Sequence, residues 1–310
     1  MAEARALALG DEWDALEARP VRSLWSDAFR RLRKNRLAMA ALVILIVLGV
    51  VAVTGNYVDV VRRYDPAHQD YDAVHQGPSL EHFFGTDNLG RDNWARVLQG
   101  ALISLQIGLG VQVLVLLVGI AVGGAAALSG RLGDNILMRI TDLAYAFPDL
   151  LFIILLRAVL AGRDWPILGN DRLQMIVAIG FVGWVTVARL VRGQMLSLAE
   201  QDFVVAARAL GATRARVVFQ HMLPNTLGPV IVAITFGIPT AIFAEAVLGF
   251  IGFGLPPPTA SLGRLIADGY TYIQTNIWIA VFPASAIAVL MLCFTFLGDG
   301  LRDALDPRLR

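Results

Sequence analysis

Asp142, Asp149 and Glu245 are the side chains whose position inside apolar stretches would let them handle cations, protons or a polar solute. The two aspartates share their stretch with Arg139 and Arg157, and the four residues advance by 3, 7 and 8 positions. At about 100° per residue, one continuous helix would gather them within an arc of roughly 80°. Such a face does not point at lipid; it is expected to look into a bundle or an aqueous path, its members pairing with one another. For the end residues a plainer reading stands beside it. Arg139 and Asp142 would form a local pair at the cytoplasmic mouth, Arg157 would reach outward, and Pro148 would kink the arc. Glu245 stands alone in TAIFAEAVLGFIGFG, with no opposite charge within a helical turn. It must find a partner on another helix, meet water or keep its proton, and an arginine of the Arg139–Arg157 stretch is the expected partner.

Other chemistries are poorly served. There is no G-x-x-x-x-G-K-[ST] loop, and Lys34 is the only lysine, so no P-loop lysine exists to hold nucleotide phosphates. His68, His75, His82 and His221 do not have metal-ligand spacing. The first three are seven residues apart, but they lie in an acidic segment containing Pro66 and Pro78, which reads as a solvated surface. No Ser/His/Asp order suggests a hydrolase. The glycine-rich stretch 119–130 reads as close helix packing rather than a phosphate cradle. Cys293 reads as a small buried hydrophobe. No catalytic residue, cofactor site or metal site is expected in this chain.

The elements that would hold these residues are membrane spans. The chain has 310 residues, of which 56% are hydrophobic and 16% charged, with a mean hydropathy of +0.62. So few charges cannot clothe a soluble globule. Apolar runs at 37–58, 97–130, 136–160, 173–188, 222–244 and 269–297 approach or meet the length of about 20 residues that a spanning helix needs. An all-α membrane protein with six transmembrane helices follows. Arg22, Arg30, Arg31, Arg33, Lys34 and Arg36 precede the first run, while Asp59, Asp65, Asp70, Asp72, Glu81, Asp87 and Asp92 follow it. The positive-inside bias therefore puts the N-terminus in the cytoplasm, and six crossings return Arg302, Arg308 and Arg310 to the same side. The first run exceeds the apolar core of a signal peptide and reads as a retained anchor. Three units are expected: a tail over 1–36 with an amphipathic helix at 23–36 lying on the headgroups, a first span with an external segment over 37–96, and a core of five spans over 97–310.

Between the fourth and fifth runs lies a polar island, FVVAARALGATRARVVFQHMLPN, at 203–225. It reads as a helix opening at Asp202, a bend at Gly211, and a second amphipathic helix from Thr213 to Met222 that ends before Pro224. With Arg208, Arg214 and Arg216 exposed, it suits another protein's groove, or else lies on the inner leaflet as a connector. On the outer side, Pro256, Pro257 and Pro258 follow Gly252 and Gly254 and forbid a continuing helix, while Ser261 and Gly263 can open a short one. The result is either a rigid lip that receives another protein or a tight re-entrant turn. GTDNLGRD, with Gly85, Asn88, Gly90 and Asp92, reads by itself as an ordinary loop.

The spacing from VAA through Gly211 and His221 to Leu223 and Pro224 resembles the EAA loop of permease subunits of ATP-binding-cassette importers. Val205 departs from the glutamate that names that loop. FGTDNLGRDNWARVLQGALISLQIGL and LGFIGFGLPPPTASLGRLIADG are similar to blocks of the family's peptide and nickel branch. SLWSDAFRRLRKNRLAMAA and FLGDGLRDALDPRLR resemble the C-type subunit of oligopeptide permeases. Together these blocks reach over nearly the whole chain, in the family's order.

The resemblance implies the type I importer permease fold in a bacterial inner membrane, and half of a heterodimeric path for peptides. It implies a second homologous permease, two ATPase subunits that bind ATP and Mg, and an external substrate-binding protein, with no nucleic acid. It implies a coupling loop over about 198–225, with Val205, Ala206, Ala207, Arg208, Gly211, Ala212, His221, Leu223 and Pro224 at its matching positions. Asp142, Asp149 and Glu245 are then path candidates, and Gly252, Gly254, Pro256, Pro257 and Gly263 belong to the external loop. Three alternatives are an ion-coupled carrier working through Asp149 and Glu245, a permease for another solute such as nickel chelates, and a scaffold that recruits a cytosolic partner. The first would be expected to show two related halves with matched broken helices, which this sequence lacks.

Overall fold

The computed structural model describes residues 24–160 and 169–306, and its regular structure there is helical. Helix α1, Leu24–Lys34, is amphipathic. Its Ala28 and Leu32 bury against Ala38, Leu301, Ala304 and Leu305, so α1 rests on the end of the last helix, while Phe29 stays exposed. Asn35 separates it from α2, Arg36–Tyr57, and caps α2 by accepting from the Ala38 amide at 3.1 Å.

The core helices are α3, Asn93–Leu128; α4, Gly130–Tyr145; α5, Asp149–Leu160; and α6, Asp171–Ala199. They are followed by α7, Asp202–Ala209; α8, Leu223–Phe250; α9, Leu262–Thr271; and α10, Trp278–Leu305. Among the described residues, five helices are long and apolar enough to cross a bilayer, and α4 with α5 makes a sixth crossing if the pair counts as one broken span. The two halves of that pair are bent by 86°. Pro148 is responsible, having no N–H to continue the ladder, and its carbonyl starts α5 by accepting from Phe152 at 3.0 Å.

The centre is α3 against α6 and α8, with Ile107, Val111, Met175, Val191, Met195 and Ala241 buried between them. Gly119 and Gly123 let α3 approach α6 where a side chain would strike Val187 and the Ala188 carbonyl. The apolar run at 269–297 is not one helix. Its first residues complete α9, and a connector at 272–277 carries Asn276, which accepts from the Trp278 amide at 3.2 Å and donates to the His75 and Gln76 carbonyls at 3.2 and 3.3 Å. Those bonds start α10 afresh at Trp278 and tie it to the external segment.

Candidate translocation path and docking faces

The break in the third apolar stretch reassigns every charge on it. Asp142 ends up 2.8 Å from Arg189 of α6, and that guanidinium lies 4.9 Å from the Tyr145 ring. Arg192, one turn further on, grips both oxygens of Asp134 on α4. Arg139 is exposed and is not the partner of Asp142. Arg157 does not reach outward: it is 3% exposed, donates to Gln174, and pairs with Asp171 at 2.9 Å. It also contacts the Gly254 carbonyl at 3.4 Å, joining α5 to the start of α6 and to the external loop. The single charged arc is therefore replaced by pairings with α6. Helical spacing could not reveal them, because it assumes an unbroken helix.

Asp149, first residue of α5, lines a cavity of about 500 Å³ shared by α3, α5, α6 and α8. Gln112, Tyr145, Thr186, Phe236 and Thr240 also line it, giving a largely apolar wall with a few polar groups. Glu245 is elsewhere, fully buried beneath α9. Ser104 of α3 donates to its Oε2 at 2.8 Å, and Ser261 adjoins it. No arginine of the broken span reaches it, which corrects the expected pairing: a neutral hydroxyl, not a cation, supplies the bond. Asp149 and Glu245 are thus not brought together.

On the cytoplasmic side, α7 follows α6 after a short turn and is held by Val204, which is fully buried. Gly211 makes the bend at φ +82°, a left-handed conformation that disfavours any side chain. Thr213 then caps the next turn by accepting from the Arg216 amide. The second helix does not stop before Pro224. A π-helical turn over Val217–Met222 carries it into α8, with the Leu223 amide bonding back to the Val218 carbonyl. The wider turn accommodates a proline that an α-helical ladder would reject.

Val205, Ala206, Arg208 and Pro224 are exposed. Ala207 and Ala212 are half-buried against the core, Leu223 is half-buried, and the His221 ring lies 6.5 Å from that of Phe203. The element also presents side chains that motif spacing did not single out. Leu210 is 89% exposed and Phe219 68%, beside Phe203 and Val205. Apolar residues flanking a glycine bend in an otherwise polar island were the available signal.

On the outer side, Gly252 has φ +90°, Leu255 and Ala260 are buried, and the Ala260 amide donates to Gln99 Oε1 at 3.0 Å. Ser261 caps α9, and Gly263 packs on the Ala246 backbone. The loop is therefore pinned on both flanks, with Pro256 and Pro257 at its exposed turn. The segment before α3 is a folded unit, not a solvated loop. His82 is buried and its Nδ1 lies 2.8 Å from Asp92 Oδ2, while Asp92 Oδ1 caps α3 through the Ala95 amide at 2.8 Å. Asp87, also buried, accepts from the Leu89 and Arg91 amides at 2.9 Å and from Arg91 Nε at 2.7 Å. Turn-forming residue types concealed this because their side chains turn inward.

A bundle of apolar helices with a broken third span, a cytoplasmic helix–glycine–helix foot and a pinned external loop defines a multi-pass membrane permease. Residues 116–310 match the family of binding-protein-dependent transport system inner membrane components, and residues 23–78 match the N-terminal transmembrane domain of oligopeptide transport permease C. This chain belongs to that family of inner-membrane permease subunits. It is 42% identical to the oligopeptide transport system permease protein OppC of Bacillus subtilis over 93% of this chain and 91% of that one. It is also 42% identical to the same organism's dipeptide transport system permease protein DppC, over 97% and 94% of the two chains. The Escherichia coli OppC is 37% identical over 93% and 92%. The inward-facing MetNI methionine ABC transporter shares the fold, with a TM-score of 0.55 at 21% identity over 68% of this chain and 96% of that one.

Proposed function

We propose that the chain forms one half of the path of an ATP-driven importer of peptides. In this reading a second homologous permease completes the path, two ATPase subunits bind and hydrolyse ATP with Mg, and an external protein delivers the substrate. The three units at 1–36, 37–96 and 97–310 are then a cytoplasmic tail with an interfacial helix, the first span with the external plate, and the permease core.

One observation carries the assignment of the drive: a cytoplasmic foot with Leu210 and Phe219 exposed among its polar residues, mounted on buried Val204 and bent at Gly211. Exposed apolar side chains at such density outside the spans are what a partner covers. Movement of the foot is transmitted through the continuous helix from Arg214 to Phe250, one wall of the Asp149 cavity. Nucleotide binding and release then shift the bundle between inward-open and outward-open states through differential contacts at the foot. The mostly apolar cavity, with Gln112 and Asp149 as polar points, suits a path of broad selectivity whose recognition lies in the delivering protein.

Uptake of a radiolabelled tripeptide into vesicles holding the assembled transporter tests this. ATP-dependent uptake that persists with an uncoupler is expected. Uptake driven by an ion gradient without nucleotide would overturn it. Substitutions at Ala207 and Gly211 should separate ATPase assembly from transport.

A further inference from the structure

Three arginines converge on the outer face, where the positive-inside bias gives them no topological reason to be. Arg91 lies near the end of the GTDNLGRD turn, Arg96 lies in the first turn of α3, and Arg264 is in the first turn of α9. Two carboxylates stand among them. Arg91 Nε donates to Asp87 at 2.7 Å, and Arg264 Nε to Asp268 at 2.9 Å. Arg96 receives what is left. Among the described residues its Nε finds no hydrogen-bond acceptor; the side chain forms only longer ion pairs with Asp87 at 3.5 Å and Asp268 at 3.7 Å, and it reaches the Pro66 carbonyl at 3.4 Å. Arg96 is 2% exposed, and Arg91 and Arg264 are close enough to repel it.

The cluster thus holds three cations and two anions. These residues do not close over one another: they surround a cavity of about 320 Å³ walled by Pro257, Pro258 and Tyr272. Among the described residues, the terminal guanidinium nitrogens of Arg91 and Arg264 donate to no protein acceptor. A planar guanidinium fork next to a cavity with one uncompensated positive charge matches a carboxylate.

We propose that Arg91, Arg96 and Arg264 form a socket for a carboxylate side chain, an Asp or Glu on the external substrate-delivering protein. The occupant is assigned to that protein because the socket adjoins the exposed proline turn of the external loop and shares no lining residue with the Asp149 cavity. The inference rests on the importer reading and adds the chemistry of one of its contacts.

The test uses the assembled transporter in nanodiscs and the substrate-binding protein that serves it. Arg264→Gln and Arg91→Gln are each expected to weaken binding about tenfold or more and to flatten its dependence on salt. Arg264→Lys should fall between, keeping the charge and losing the fork. Because an arginine variant can disturb folding, the reverse arm leaves the permease intact. Each surface Asp or Glu of the binding protein is replaced in turn by its amide, and one should reproduce the loss and be non-additive with Arg264→Gln. Additivity for every acidic position, or binding indifferent to salt, overturns the socket while leaving ATP-driven uptake standing. A wild-type transporter that takes up peptide without engaging any binding protein removes the delivering partner, and the socket's occupant with it. Saturable binding of a free tripeptide acid, but not of its C-terminal amide, without the binding protein would reassign the socket to substrate and refute the docking role.

Discussion

The outer plate and the cytoplasmic foot are both polar interruptions of an apolar chain, yet their interiors are built differently. The plate, residues 59–92 with α9, has a bonded polar interior, although Val60, Tyr71 and Leu80 are exposed on its surface. Asp87, Asp92, His82 and Thr86 are buried and bonded, and the Trp94 indole donates to the Val61 carbonyl at 2.9 Å. The foot turns Leu210, Phe219 and Val205 outward and is anchored on the core by Val204, Val217, Val218 and Met222, with no buried polar network of its own among the described residues. Buried, satisfied polar groups fix one conformation, because each unpaired alternative leaves a desolvated donor or acceptor. Exposed apolar groups on a small element leave its position to whatever covers them. The plate is therefore a rigid platform, whereas in the proposed reading the foot is completed by a partner.

Changes on the two sides should separate cleanly. The largest effect is expected at Gly90, whose φ is +70° and whose added Cβ would lie 1.6 Å from the Asp70 carbonyl oxygen. Gly90→Ala should cost about 4 kcal/mol or more and be read as loss of folded protein in detergent. A well-folded Gly90→Ala protein would show that the plate is not rigid. Next is Leu210→Asp, expected to leave unfolding unchanged while weakening ATPase association by about 2 kcal/mol in copurification. Equal recovery of the ATPase would remove the foot as the gripped surface.

Asp92→Asn keeps a capping oxygen but loses the charge facing His82, and should cost about 1–3 kcal/mol, seen as faster amide exchange across residues 82–96. At Gly211 the φ of +82° carries a conformational cost, but a Cβ there meets nothing within 4 Å. Gly211→Ala should then lower stability by only about 1 kcal/mol while reducing transport more than assembly. The smallest effect belongs to Asp142→Asn. Its pair with Arg189 is 57% and 41% exposed, and the change should shift stability by less than about 1 kcal/mol.

Several features were legible in the chain because they are local. The span count follows from runs of apolar residues, the bend at Gly211 from a residue that tolerates positive φ, and the start of α9 from Ser261 and the prolines before it. Other features were hidden because they depend on distant residues. Arg189 and Arg192 claim Asp142 and Asp134 from 47 and 58 positions away, and Ser104 meets Glu245 from 141 away. The second helix of the foot ran past Pro224 because a π turn, which no single residue announces, absorbed the missing N–H.

Composition and the arginine distribution alone determined that the chain lives in a bilayer, how often it can cross and which way it faces, since transfer free energy and charge asymmetry are sums over residues. Tertiary structure alone decided which charges neutralise each other, that Asp149 faces a cavity while Glu245 is sealed under α9, and that three arginines on two segments line one cavity. Those are properties of distances between segments, and a linear sequence does not contain them until the helices have packed.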